Sequence, residues 1–72
     1  MKKFALADFL LYKNKKQEAL SQFQNILKEH KGEQIEAVTL LRIGKIQEKL
    51  GDYTAALEHY KIIIDKHKES IE

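Results

Sequence analysis

Neither cysteine nor proline occurs in the 72 residues of this chain. Without cysteine there can be no disulfide, no thiolate zinc site and no thiol nucleophile, and composition carries no mark of a redox compartment. Without proline, and with only three glycines, most helix breakers are gone and helices are free to propagate. No apolar run approaches the roughly 18–20 residues that a membrane-spanning helix needs. The apolar residues, 43% of the chain, fall in short clusters among 33% charged side chains, a balance that fits neither a membrane span nor a disordered chain. Charge of one sign is scarce as well. Thirteen basic and eleven acidic side chains leave a formal net charge of +2, too little to imply a polyanionic partner when the two signs are interspersed. A chain this short forms at most one small domain, with a core contributing about 3–5 kcal/mol of net stability. Lys2 and Lys3 ahead of Phe4-Ala5-Leu6 superficially suggest a leader. Asp8 interrupts the apolar stretch, Lys13, Lys15 and Lys16 follow closely, and no small-x-small site appears, so a first helix is expected there instead.

What is present is helix punctuation. In Lys49-Leu50-Gly51-Asp52-Tyr53, Gly51 can take a positive φ and close one helix, while the Asp52 carboxylate can accept the orphan amide hydrogens that open the next. Helices joined this tightly must lie antiparallel. The spacing predicts a first helix over about Lys2 to Lys13, with Leu6, Ala7 and Leu10 on one face and Phe4, Asp8, Leu11 and Tyr12 on another. Asn14 stands where Gly51 stands later, as the common substitute for glycine at a left-handed helix end. The second helix, about Lys16 to His30, carries the stripe Ala19, Leu20, Phe23, Ile26 and Leu27. Gly32 is expected to end it, with Glu33 and Glu36 favouring a new helix start. The third helix, about Glu33 to Leu50, holds Leu40, Ile43, Gly44 and Gln47 along one side and Leu41, Lys45, Glu48 and Lys49 roughly opposite. A fourth runs from about Tyr53 to Ser70 with the stripe Ala56, Leu57, Tyr60, Ile63 and Ile64.

A shift of 37 residues sets Ala19 on Ala56, Leu20 on Leu57, Phe23 on Tyr60, Ile26 on Ile63 and Leu27 on Ile64. It also sets Leu6 on Ile43, Ala7 on Gly44, Asn14 on Gly51 and His30-Lys31 on His67-Lys68. A helical hairpin has been duplicated, and repeats of this length mark solenoids, whose units bury their apolar faces by stacking. With Leu40, Ile43-Gly44, Gly51-Asp52-Tyr53, Ala56-Leu57, Tyr60 and Ile63 in place, the second copy resembles the tetratricopeptide repeat family. The first copy keeps Leu6-Ala7, Ala19-Leu20, Phe23 and Ile26, but has Lys15-Lys16 where the family favours Asp-Tyr. The period exceeds the family's usual one of about 34 residues, and Lys31 and Lys68 replace its proline after each hairpin. The longer form is similar to tandem repeats of many bacterial cell-envelope assembly proteins; the cytoplasm is the expected location, with the cell envelope as the alternative for a piece of a longer protein.

The resemblance implies an all-α fold of four helices in two tandem antiparallel hairpins, a segment of right-handed α-solenoid. It makes residues 1–72 one domain, with repeats over about 2–31 and 33–70, and allows a piece of a longer repeat protein. In this family the first helix of each hairpin lines a concave groove that binds a peptide or a partner helix. Carried over by position, the groove comprises Phe4, Asp8, Leu11 and Tyr12 from the first copy and Leu41, Arg42, Lys45, Glu48 and Lys49 from the second. Aromatic and leucine anchors on an open surface are characteristic of interfaces; the alternative for Phe4 and Leu41 is packing against the neighbouring hairpin. Family members that clamp a C-terminal carboxylate use Lys and Asn on this face, where this chain has Phe4, Asp8 and Arg42, so that activity is not expected.

Other chemistry is weakly provided for. His30 and His67 sit near helix ends, where a partly protonated imidazole complements the dipole, and His59 has no facing ligand that spacing identifies, so no metal or cofactor is expected. Ser21 and Ser70 lie in no strained turn and the glycines are helix punctuation, so neither catalysis nor a small-molecule substrate is expected. Lys13, Lys15 and Lys16 beside Tyr12 are the best candidates for nucleic acid, but a single arginine is poor provision for reading bases. A protein-interaction scaffold is the expected function, a self-associating structural module the alternative, and an RNA-associated module a weaker one. Self-association is expected because solenoids generally need three or more repeats or a capping helix. Tyr53, Leu57, Tyr60, Ile64 and Ile71 form an apolar edge that no later helix in this sequence covers, with Ile62 on the opposite face, so the edge meets further repeats or a second copy in a homodimer.

Overall fold

The computed structural model describes residues 4–30 and 32–66, which form four α-helices and, among the described residues, no strand. They are α1 (Ala5–Tyr12), α2 (Lys16–Glu29), α3 (Glu33–Lys49) and α4 (Tyr53–Lys66). The expected continuation of the first helix back to Lys2 and of the fourth to Ser70 lies outside the described residues, as do Lys31, His67, Lys68 and Ile71.

Both turns close by the same local chemistry. Asn14 has φ 63° and Gly51 φ 85°, the left-handed conformation that glycine adopts freely and asparagine tolerates. The amide of Asn14 then bonds Leu11 O at 2.9 Å and that of Lys15 bonds Leu10 O at 2.8 Å. In the later turn Gly51 bonds Glu48 O at 3.0 Å and Asp52 bonds Gln47 O at 2.8 Å. Each pair is a Schellman closure, which satisfies carbonyls that a helix end would otherwise leave orphaned. The helix starts differ. Asp52 Oδ1 accepts the Ala55 amide at 3.4 Å, whereas Lys15 opens α2 without a side-chain cap.

The link between hairpins corrects one expectation. Gly32 does not end α2; His30 does, in an extended conformation. Gly32 is instead the N-cap of α3 at φ −62° and ψ 137°, and its carbonyl accepts the Glu36 amide at 2.9 Å. That backbone is open to any residue.

Consecutive helices pack in chain order, α1 on α2, α2 on α3 and α3 on α4. Ala19, Phe23 and Ile26 of α2 are buried with Phe4, the N-cap of α1, with Ala7 of α1 and with Ile43 and Ile46 of α3. Leu20 and Leu27 lie half-buried against that cluster. α3 is flanked on both sides, which is why Ala37, Thr39, Leu40, Ile43, Ile46 and Gln47 are all buried although they span much of its circumference. Thr39 is accommodated there by donating its hydroxyl to Ile35 O at 2.6 Å. The expected phase of α1 is corrected: Phe4 and Ala7 face the core, while Leu6 and Phe9 are exposed. Phe4 is drawn inward because it has a second wall, lying against the Phe23 ring of α2 at 5.9 Å between centroids and beneath Arg42 of α3.

Candidate partner-binding surface

The exposed side of α1 and α3 presents a cleft of about 340 Å³. Leu11, Val38, Leu41 and Ile46 form its apolar walls, and Arg42, Lys45 and Lys49 supply cations at its margin. Helical spacing accounts for the gathering. Leu41, Lys45 and Lys49 follow one another at intervals of four on α3, with Val38 one turn earlier, so they share a face. α1 contributes Leu11 because the two hairpins stack with their first helices side by side.

The groove positions implied by the resemblance divide once they are placed. Leu11, Leu41, Arg42, Lys45 and Lys49 line the cleft. Phe4 does not; it is 1% exposed, so the alternative of packing against the neighbouring hairpin is the one observed for it. Asp8 accepts a charge-assisted hydrogen bond from Arg42, tying α1 to α3. The Arg42 guanidinium also covers the rings of Phe4, at 4.9 Å, and Phe23, at 5.8 Å, so this arginine is committed to the joint between hairpins. Lys45 and Lys49 make no hydrogen bond or ion pair among the described residues. Tyr12 projects into solvent at the first turn, with the Lys13 ammonium 5.9 Å from its ring centroid. Glu48 turns toward α4, where it accepts a hydrogen bond from the Tyr60 hydroxyl. Sequence reasoning missed Val38 and Ile46 in the cleft; the spacing of Val38 one turn before Leu41, and of Ile46 one turn after Arg42, was the available signal.

Polar groups behind α3 serve its joint with α4. Tyr60 is pushed up to about 12, by burial first and then by the hydrogen bond to Glu48 and its charge. His59 Nδ1 lies 2.8 Å from Gln47 Oε1 and 2.9 Å from Ala55 O. A backbone carbonyl can only accept, so Nδ1 carries the proton and the half-buried imidazole satisfies the buried Gln47. Lys66 pairs with Glu36 at 3.3 Å. Among the described residues no three His, Asp or Glu gather as metal ligands, and no helix is long and apolar enough to cross a membrane. Within the lysine cluster at the first turn, Lys13 lies over the Phe9 ring as well as Tyr12, and Lys16 donates to Asn14 Oδ1.

On the α4 edge, Tyr53, Leu57 and Ile64 are exposed, as is Ile62 on another face. Tyr60 is only half-exposed because its ring lies against Gly44.

Residues 39–70 match the family described as tetratricopeptide repeat, a stretch that takes in α3 from Thr39 and all of α4. No curated protein and no solved structure matches the chain.

Proposed function

Taking the second hairpin as a tetratricopeptide-like repeat, a family generally engaged in protein–protein interaction, we propose that this chain is a protein-interaction scaffold. The first hairpin acts as a diverged second copy of the repeat, and the two form one binding unit. Its ligand is an extended or helical peptide with an apolar anchor flanked by acidic residues. The single observation in support is that apolar walls from two helices of separate hairpins, Leu11 of α1 with Leu41 and Val38 of α3, border one cleft beside Lys45 and Lys49.

The chemistry follows from which charges are already spoken for. Arg42 is neutralised by Asp8, which leaves Lys45 and Lys49 as the cations open to a ligand. Exposed apolar anchors contribute by excluding water, and the lysines set partner choice and on-rate more than affinity. Catalysis has no part in this function.

Selection from a random peptide display library tests it. Enriched peptides should carry an aliphatic or aromatic residue next to Asp or Glu. Reversing both lysines, Lys45→Glu with Lys49→Glu, should weaken those peptides at least about tenfold with helicity unchanged, since exposed charges contribute little to stability. Peptides without acidic residues, or affinity unaffected by the reversal, would refute the cleft as the binding site.

A further inference from the structure

We propose that copies of this chain stack head to tail, the outer face of α1 in one copy seating on the α3–α4 edge of another as α3 seats on α1 and α2 within a chain. This reaches beyond peptide binding in the cleft and does not depend on it, although the receiving edge shares Leu41 and Lys45 with the cleft. The shift of 37 residues that relates the two hairpins in sequence also pairs like features of the structure. Asn14 and Gly51 are both left-handed, and the small Ala7 lies in one cluster with Phe23 as Gly44 lies against Tyr60.

Burial departs from this correspondence in two places. Leu6 and Phe9 are 55% and 54% exposed, whereas their equivalents Ile43 and Ile46 are 0% and 2% exposed. Ile43 and Ile46 are the side chains with which α3 enters the cluster of Phe4, Ala7, Ala19, Phe23 and Ile26. α1 therefore displays, uncovered, the apolar pair that α3 uses to dock. At the other end of the stack, Phe4 is buried and Leu20 and Leu27 half-buried where the first hairpin receives α3. Their equivalents Leu41, Leu57 and Ile64 are exposed.

One chain thus carries both halves of an interface of which it already contains a finished example, and that example identifies the occupant as a second copy. The halves lie on different surfaces, so the contact is heterologous and grows open-ended assemblies instead of closing as a two-fold dimer. Its polar content differs from the internal joint. Arg42 and Asp8 pair within the chain, but the shift puts Ala5 in the place of Arg42 and Lys45 in that of Asp8. The Asp8–Arg42 pair of the internal joint therefore has no counterpart between copies, which leaves a mainly apolar contact weaker than the internal one and little screened by salt.

Sedimentation equilibrium of the whole chain over rising concentration, at low and high salt, tests the proposal. The weight-average mass should climb from 8.4 kDa past that of a dimer, at both salt levels. Phe9→Lys removes the docking face, and Leu57→Lys with Ile64→Lys removes the receiving edge. Each variant should sediment as a monomer with wild-type helicity by circular dichroism, because these side chains are exposed in the single chain. Mixed in equal amounts, the two variants should form a heterodimer and stop there, since one intact docking face and one intact edge remain. Leu6→Lys repeats the test on the same face should Phe9→Lys lose helicity. A strictly monomeric wild type would overturn the proposal and leave both faces to neighbouring repeats. A dimer that persists in Phe9→Lys would overturn it in favour of symmetric pairing of α4 edges, and association abolished by salt would overturn it in favour of charge pairing.

Discussion

Replacing Gly44 with alanine sets two effects of opposite sign against each other. In a helix interior alanine is favoured over glycine by about 0.8–1 kcal/mol. The added methyl carbon, however, would lie 2.5 Å from Tyr60 Cε1, 2.9 Å from Cζ and 3.1 Å from Cδ1. Carbon atoms settle at about 3.5–4.0 Å, so the ring would have to withdraw by about an ångström. It is not a loose end, because its hydroxyl donates to Glu48. Overpacking of this kind costs about 1–3 kcal/mol, which outweighs the helix gain and leaves a net loss of about 1 kcal/mol. For a domain of this size that lowers the melting temperature by about 4–8 °C. The first hairpin offers an internal control, since the equivalent pair is Ala7 with Phe23, both buried, and no hydroxyl tethers the ring. Gly44→Ala combined with Tyr60→Phe recreates that pair and should recover at least about 0.5 kcal/mol of the loss expected from adding the single effects. Urea unfolding of the four proteins measures the cycle. A Gly44→Ala variant more stable than wild type would show that helix propensity alone governs the site and that the close approach of α3 and α4 is not a constraint.

The two helix starts predict opposite outcomes for one type of residue. Asp52→Ala should destabilise by about 0.5–1 kcal/mol, at the low end for a cap because the Asp52 to Ala55 bond is long at 3.4 Å, whereas Lys15→Asp should stabilise by a similar amount by supplying the cap that α2 lacks. Thermal melts read both, and shifts of the reverse sign would refute the assignment of these positions. Tyr60 predicts a loss of stability in alkali. Its folded value is raised to about 12, so the native state holds the phenolic proton more tightly; that contribution is complete below about pH 10, where the unfolded phenol titrates, and is lost as pH rises through 12. Urea midpoints compared at about pH 9 and pH 11 should fall more for wild type than for Tyr60→Phe, and equal falls would refute the perturbed phenol.

Of the surface proposed for partners, only part was legible beforehand. Leu11, Leu41, Arg42, Lys45 and Lys49 were reached by carrying the family's groove positions over to the first helix of each hairpin, which works where the side chain is not drawn out of the cleft by a neighbour to bond or pack against. It failed at Phe4, whose equivalent Leu41 is exposed, because α3 covers the first hairpin and, among the described residues, no helix covers the second. Glu48 shows the same limit. Its place on α3 was read correctly, but a side chain between the cleft and α4 goes where a donor waits, and Tyr60 supplies it.

The sequence by itself determined the four helices, the left-handed turns at Asn14 and Gly51 and the stripe of α2. Each of these is settled by bonds and clashes within a few residues, or by a periodicity that one apolar face imposes. Only the tertiary structure decided the rotation of α1, the double-sided burial of α3, the Asp8–Arg42 tie and the Gln47–His59 pair. These join residues far apart in the chain, and which face of a helix is innermost depends on how many neighbours it has. A helix whose neighbours all lie on one side announces its buried face in its periodicity, as α2 does, whereas α3, packed between α2 and α4, spreads its apolar residues around the axis, and only the packed neighbours select among them.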